Sequence, residues 1–444
     1  MNLFFRGLKC LRENGFRYTV KRLFERKFIL ENYYDDLRNR VNTYQGRYPF
    51  FPRKTALRLI WWNFKQLFKK HTGLMGQTRQ REACEPRKGN VSGLSLTPDN
   101  LNIGFWIKGG FGDFLVMANY IYKFRMKYGY DHIRLDVITQ NYKLGQAIFK
   151  PGVIVDNHYP EEGYADHYRE YDVFISMTRY PNLMRRQLDR IAEFAPELLE
   201  YVFLCERFRA EHSRFFTHSG ITDGQGAKIS ILENRKRIHQ PDIYGYLGVT
   251  EKYEFPLEIY EDETAYLEEL GLLGQPFITL HRGCDTRYSS DSVKLWPLKY
   301  YNILIRLLKA RYPEIKLVQI GVSHDRCLDM KGVDYNLVEK TDLEQVKILL
   351  KNSLLHIDGE GGMVHLRHAI AEKTSIVLFG PTSPEFFGYG ENINMRGNGC
   401  ETWCEWAVRG WMEKCLKGER PACMESIIPE DVMEQAVKVL EGDK

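Results

Sequence analysis

The fold that the sequence predicts is α/β, with parallel sheets covered by helices and arranged in two halves, and three observations predict it. Strand-like and helix-like runs alternate from about residue 100 to the end. Each half contains one stretch in which glycines and an acid stand where a strand should give way to a helix: Lys108-Gly-Gly-Phe-Gly-Asp-Phe-Leu and Asp358-Gly-Glu-Gly-Gly-Met-Val-His-Leu. Between them the pattern breaks over residues 261–275, where Gly271 and Gly274 mark an interdomain boundary.

In the first half, the apolar run 101–107 reads as a buried strand, and residues 114–127 carry apolar side chains at helical spacing. Gly109, Gly110 and Gly112 therefore fall in the turn, and Asp113 opens the helix. Glycines there let backbone N–H groups approach a ligand, and the helix start adds partial positive charge. Further strands are expected at 133–138 and 172–175. Residues 206–245 are polar and irregular, as in an insertion or mobile loop of the kind that often faces a substrate. In the second half, strands are expected at 277–280, 317–320, 354–357 and 375–379, and helices at 298–311, 343–351 and 364–371. Glu360, Gly361 and Gly362 make the second turn, and Met363 starts its helix. The chain so divides into an arm, 1–95, a first domain, 96–270, and a second domain, 271–444.

A chain of 444 residues with 43% hydrophobic content can bury a core in each of two to three domains. Charges interrupt every apolar run before the roughly 18 residues that a membrane span needs. Arg6, Lys9 and Arg12 break up the N-terminus in a way unlike a secretory signal, so a soluble, cytoplasmic protein is expected. Cys10, Cys84, Cys205, Cys284 and Cys327 are scattered, as in a reducing compartment. Residues 1–90 hold 21 Lys and Arg against 7 Asp and Glu, a charge of +14 in a chain of net +5. Within this basic arm, Leu57, Ile60, Trp61, Phe64, Leu67 and Phe68 share one helical face. Two readings stand: the face meets an anionic membrane surface, or it packs on the protein's own body. Nucleic acid is not expected, because the remainder is acidic and carries no recognisable nucleic-acid module.

Several blocks follow one another in a definite order. They are the glycine turn with Asp113, Arg235-Lys-Arg-Ile-His-Gln, Lys294-Leu-Trp-Pro before a helix, Glu360-Gly-Gly-Met-Val-His-Leu, Phe379-Gly-Pro-Thr, and a terminal cysteine cluster ending Cys423-Met424. From about residue 101 to the end, this order resembles glycosyltransferase family nine, the bacterial heptosyltransferase-like enzymes. The resemblance implies the GT-B fold: two doubly wound Rossmann-like domains facing a cleft, here with a basic helical N-terminal arm added. It further implies an inverting transfer from a nucleoside-diphosphate sugar to a surface glycan or lipid-linked saccharide, without a catalytic metal. An enzyme of this kind is expected in the cytoplasm, peripheral on the inner face of the plasma membrane.

Asp113 matches the family's general base, which takes the proton of the attacking acceptor hydroxyl. Taken alone, an acid in this turn also suits the helix N-terminus. Lys294 matches the lysine that reaches the donor phosphates. Arg282 and Thr286 follow a strand and line the same cleft, while Gly361, Gly362 and Met363 supply N–H groups at a helix start. Thr382 closes the Phe379 block on the donor side. Two departures stand out. Glu360 occupies the place of a family aspartate five residues before His365, with Asp358 two residues earlier, so either acid can meet the donor. Ser323 stands where enzymes using ADP-heptose carry glutamate, which leaves the donor's sugar and base open. His365 reads equally as a structural histidine or a phosphate contact. Cys400, Cys404, Cys415 and Cys423, spaced x3, x10 and x7, can form a four-thiolate structural site for iron or zinc, or stay free or disulfide-paired. Other readings of the fold are a sugar-nucleotide epimerase and a non-catalytic glycan-binding protein.

Overall fold

The computed structural model describes residues 94 and 96–442, except 130, 178, 218–219, 222, 284–291, 323–328, 401–402, 406–410, 413–414 and 416–419. The described residues lie in one compact unit. The amphipathic face at residues 57–68, Thr286 and Ser323 fall outside them. Among the described residues, no helix is long and apolar enough to cross a membrane.

Two sheets carry the fold. The first has β1 (Leu101–Ile107), β2 (Ile133–Thr139), β3 (Asn157–Pro160), β4 (Val173–Met177) and β5 (Pro181–Arg186), in the order β3-β2-β1-β4-β5. All its pairings are parallel except β4 with β5. That exception is an edge strand opening on proline, where a missing N–H costs no ladder bond. A small hairpin, β6 (Phe216–Thr217) and β7 (Gly220–Ile221), follows. The second sheet has β8 (Phe277–His281), β9 (Lys316–Ile320), β10 (Tyr335–Asn336), β11 (Leu355–Gly359), β12 (Ser375–Phe379) and β13 (Ile393–Arg396), in the order β10-β9-β8-β11-β12-β13, parallel throughout. Both orders reverse direction next to the first strand, between β1 and β4 and between β8 and β11. In doubly wound sheets that reversal opens the crevice in which ligands bind.

The principal helices are α1 (Phe111–Tyr128), α2 (Leu198–Glu211), α3 (Asp223–Leu232), α4 (Leu298–Arg311), α5 (Leu343–Asn352), α6 (Gly362–Ala371) and α7 (Pro429–Glu441). Helix α1 is buried along most of its length, from Phe114 through Ile121 and at Phe124, because it faces both its own sheet and α6. Helix α5 starts from a capping box of Asp342 and Gln345 and buries five consecutive residues, Val346 to Leu350, so it too is enclosed on more than one side.

Three expectations need correction. Helix α1 begins at Phe111 with Gly110 as its N-cap, so Asp113 sits in the first turn rather than opening the helix. Strand β11 runs on to Gly359, two residues past the expected end at 357, which puts Asp358 inside the sheet. Residues 206–245 are no irregular insertion: they contain the end of α2, the β6–β7 hairpin, α3, and a turn region that buries Arg237, Gln240 and Asp242. Their polar side chains reflect an ion-pair and hydrogen-bond network, which helical periodicity does not register.

Candidate active site

The glycine turn of the first half is shaped around its acid. Gly109 has φ +134°, and a Cβ there would overlap the Asp113 carboxylate. Asp113 Oδ2 accepts the Gly110 N–H at 2.9 Å, capping its own helix. Its Oδ1 is ion-paired with both Arg179 and Arg237. Burial alone would raise the Asp113 pKa, but the two guanidinium groups and the helix-start N–H outweigh it and hold the carboxyl well below the usual range. Arg179 stands just past the C-terminal end of β4, beside the end of β1, where Lys108 N–H donates to Met177 O at 3.1 Å. Arg237 is anchored on both sides: its Nη1 donates to Gln240 Oε1 at 2.8 Å, and its backbone N–H donates to Phe386 O at 2.6 Å.

In the second half, Lys294 Nζ meets Glu360 Oε2 at 2.5 Å just beyond β11. Gly361 is the N-cap of α6, with Gly362 and Met363 in its first turn, so the N–H groups of the helix start lie next to that ion pair. Asp358 is sealed in the sheet, accepting from His281 Nδ1 at 2.8 Å, with His356 Nε2 at 3.6 Å. Burial works against its charge, yet the histidines hold its pKa low. Of the two acids weighed from the sequence, Glu360 is therefore the one at the turn. Arg282 Nε donates to the Trp296 carbonyl at 2.8 Å, which ties it to the Lys294 loop. Thr382 is buried, and its hydroxyl has no hydrogen-bond partner among the described residues.

The two glycine turns meet. A Cβ on Gly112 would overlap the His365 ring, and one on Gly362 would lie 3.1 Å from Phe111 Cβ. His365, two residues beyond Met363, is buried, and its Nδ1 lies 2.5 Å from the Tyr389 hydroxyl. Burial pulls its pKa down to about 4, against Glu360 and Asp113 and with Arg237 adding to the effect. The N-termini of α1 and α6 are thus opposed, with Asp113 on one side and Glu360 on the other. Arg179, Arg237 and Tyr389 were not singled out from the sequence. Arg179 follows a strand end, where a rule that strand C-termini carry the site would have found it; Arg237 lies after helix α3, within the quoted block at 235–240, and only that block pointed to it.

Residues 230–410 match glycosyltransferase family 9 (heptosyltransferase). The chain carries a glycosyltransferase family nine domain. Lys294, Glu360, the Gly361 to Met363 turn and Arg237 lie within the match, whereas Asp113, Cys415 and Cys423 lie outside it. The glycosyltransferase family 9 structure from Veillonella parvula is similar at 15% identity over 78% of this chain and 99% of that one, with a TM-score of 0.50. The E. coli ADP-heptose lipopolysaccharide heptosyltransferase II gives 15%, 77%, 99% and 0.48. The iron-containing dodecameric heptosyltransferase TibC of enterotoxigenic E. coli gives 12%, 78%, 77% and 0.49. No curated protein matches the sequence. The protein is a glycosyltransferase with the paired Rossmann-like sheets of the GT-B fold.

Near the C-terminus of the glycosyltransferase, Cys400, Cys404, Cys415 and Cys423 form no disulfide with one another. Cys423 is hydrogen-bonded to Cys400 and feels the charge of Cys404 and Cys415; together with burial, this raises its pKa well above the ordinary thiol value. Burial pushes Cys404 up to about 12. The four thiols are neighbours, but among the described residues no three metal-ligating groups converge on a single ion position.

Proposed function

We propose that the protein transfers a sugar, with inversion, from a nucleoside-diphosphate sugar to a surface glycan or lipid-linked saccharide. Residues 96–270 act as the acceptor-side domain and 271–444 as the donor-side domain. The single observation that carries this reading is the contact between the two helix N-termini at Gly112 and His365. It sets the first turn of α1, which carries Asp113, against an anion-binding helix start in the other half.

In this reading the acceptor hydroxyl attacks the anomeric carbon while Asp113 takes its proton. The bond from that carbon to the diphosphate oxygen breaks, and its electron pair leaves with the diphosphate. Lys294 and the N–H groups at Gly361 to Met363 meet the charge gained there, and fixed donors do so without reorganising. The Thr382 hydroxyl gives a further donor on that side. Glu360 contacts the donor's sugar or ribose once the phosphate draws Lys294 from it. Arg282 supports the loop bearing Lys294. Because Asp113 is held so far below neutral, it works by position more than by basicity.

The terminal thiols are proposed to hold a structural iron or zinc ion. The mutual influence of Cys423, Cys400, Cys404 and Cys415 supports the assignment. No step of the transfer passes through that ion. The +14 arm is proposed to bring the enzyme to an anionic bilayer.

Asp113→Asn, assayed against a panel of nucleoside-diphosphate sugars beginning with heptose donors, is expected to lose about 10²- to 10⁴-fold in transfer rate. Full transfer by the folded variant would falsify the base assignment. Isomerisation of the donor without transfer would replace this reading by an epimerase.

A further inference from the structure

We propose that Arg237 serves two anions, Asp113 and the donor's diphosphate, so that donor binding and release of the base are one coupled event. The inference rests on the transfer reading above and adds a residue and a coupling to it. Asp113 Oδ1 holds two guanidinium groups, but the two differ in where they stand. Arg179 comes from the end of β4, in the first sheet. Arg237 is fastened by its own backbone to Phe386, in the short helix Pro384–Phe387 that follows the Thr382 turn. The Arg237 charge also acts on His365 and on Tyr389, the two groups that pack beside the start of α6. Its side chain is nearly buried, at 3% exposure, so its charge is little screened.

A guanidinium has five donors in a rigid fork and can bridge two anions at once. Around it stand the Asp113 carboxylate, shared with Arg179, from the first half and the neutral His365 and Tyr389 side chains from the second, with Gln240 bracing its Nη1. As the acceptor proton moves to Asp113, that carboxylate loses its charge and its claim on Arg237. At the same moment the diphosphate gains the electron pair of the breaking bond. A cation held between the two stays matched to a negative charge throughout, which is the preorganisation that lowers a charge-transfer barrier. Before that step, a bound diphosphate draws Arg237 away from Asp113 and leaves a stronger base.

The test is a binding cycle that requires no turnover. Inorganic pyrophosphate affinity is measured by calorimetry for the full chain, Asp113→Asn, Arg237→Gln and the double variant. Arg237→Gln should weaken pyrophosphate by about 10- to 100-fold, the worth of one charge-assisted contact. Asp113→Asn should tighten it on the order of tenfold, and in the Arg237→Gln background most of that gain should vanish. Unchanged affinity in Arg237→Gln, or an equal Asp113→Asn gain in both backgrounds, overturns the coupling. If Arg237→Gln does not fold, Arg237→Lys replaces it: weaker pyrophosphate binding supports the shared fork, and wild-type affinity refutes it. The two readings fail separately. An additive cycle with an inactive Asp113→Asn variant removes the coupling alone, whereas full transfer by Asp113→Asn removes the base.

Discussion

Gly112→Ala tests the contact on which the site depends. The added methyl would overlap His365 Cδ2 and come within 3.1 Å of Nε2 and 3.2 Å of Cγ. Gly112 is not in the left-handed region, so the backbone accepts alanine and the cost is purely steric. The ring cannot easily turn away. It is 7% exposed, held at 2.5 Å by Tyr389, and packed edge-on to the Tyr389 ring at 5.4 Å between centroids. Overpacking of this kind costs about 1–3 kcal/mol. Part of that strain should be relieved by separating α1 from α6, so transfer should fall more than stability, with the loss seen in kcat because the reacting groups lie on either side of the contact. Thermal unfolding and steady-state kinetics would be measured for Gly112→Ala, His365→Ala and the double variant. In the His365→Ala background the methyl has room, and the Gly112→Ala penalty should shrink by about 1 kcal/mol or more. An equal penalty in both backgrounds would mean that the glycine turns do not meet as described, and the opposed arrangement of Asp113 and Glu360 would fall with it.

Lys294→Ala should weaken nucleoside diphosphate binding by about 10- to 100-fold and slow turnover, and unchanged affinity by calorimetry would move the phosphate elsewhere. Protein purified anaerobically should contain about one iron or zinc per chain by elemental analysis, with Cys404→Ser lowering the melting temperature before it alters transfer; zero occupancy refutes the metal. His365 and His158 are both held at about 4 by burial, against 6.5 for a free histidine, so the unfolded chain takes up protons first as the pH falls between those values. Stability should therefore decline from pH 6.5 toward 4, each histidine adding up to about 1.4 kcal/mol per pH unit, and His365→Gln should flatten the slope; an identical slope would show His365 to be solvated.

Much of this protein was legible in the chain alone. Strands β1, β2, β8, β9 and β12 and helices α4 and α5 announce themselves because parallel strands buried on both faces read as apolar runs, and flanking helices keep a 3.6-residue period. The two glycine turns were equally plain, since only glycine lets a carboxylate sit where the Asp113 side chain does. The edge strands β3, β5, β10 and β13 were missed: they are short, and Asn157, Pro181, Asn336 and Arg396 interrupt any apolar pattern. The irregular look of residues 206–245 came from charged side chains that are paired only after folding. What tertiary structure alone decided is the set of partners. Arg179 and Arg237 lie 66 and 124 residues from Asp113, and Lys294 lies 66 from Glu360. No local pattern records such pairings, because a charge is satisfied by whatever the folded chain brings beside it. The sequence determined which residue types stand at the ends of the strands; the closure of one sheet's crevice against the other decided which of them share a charge.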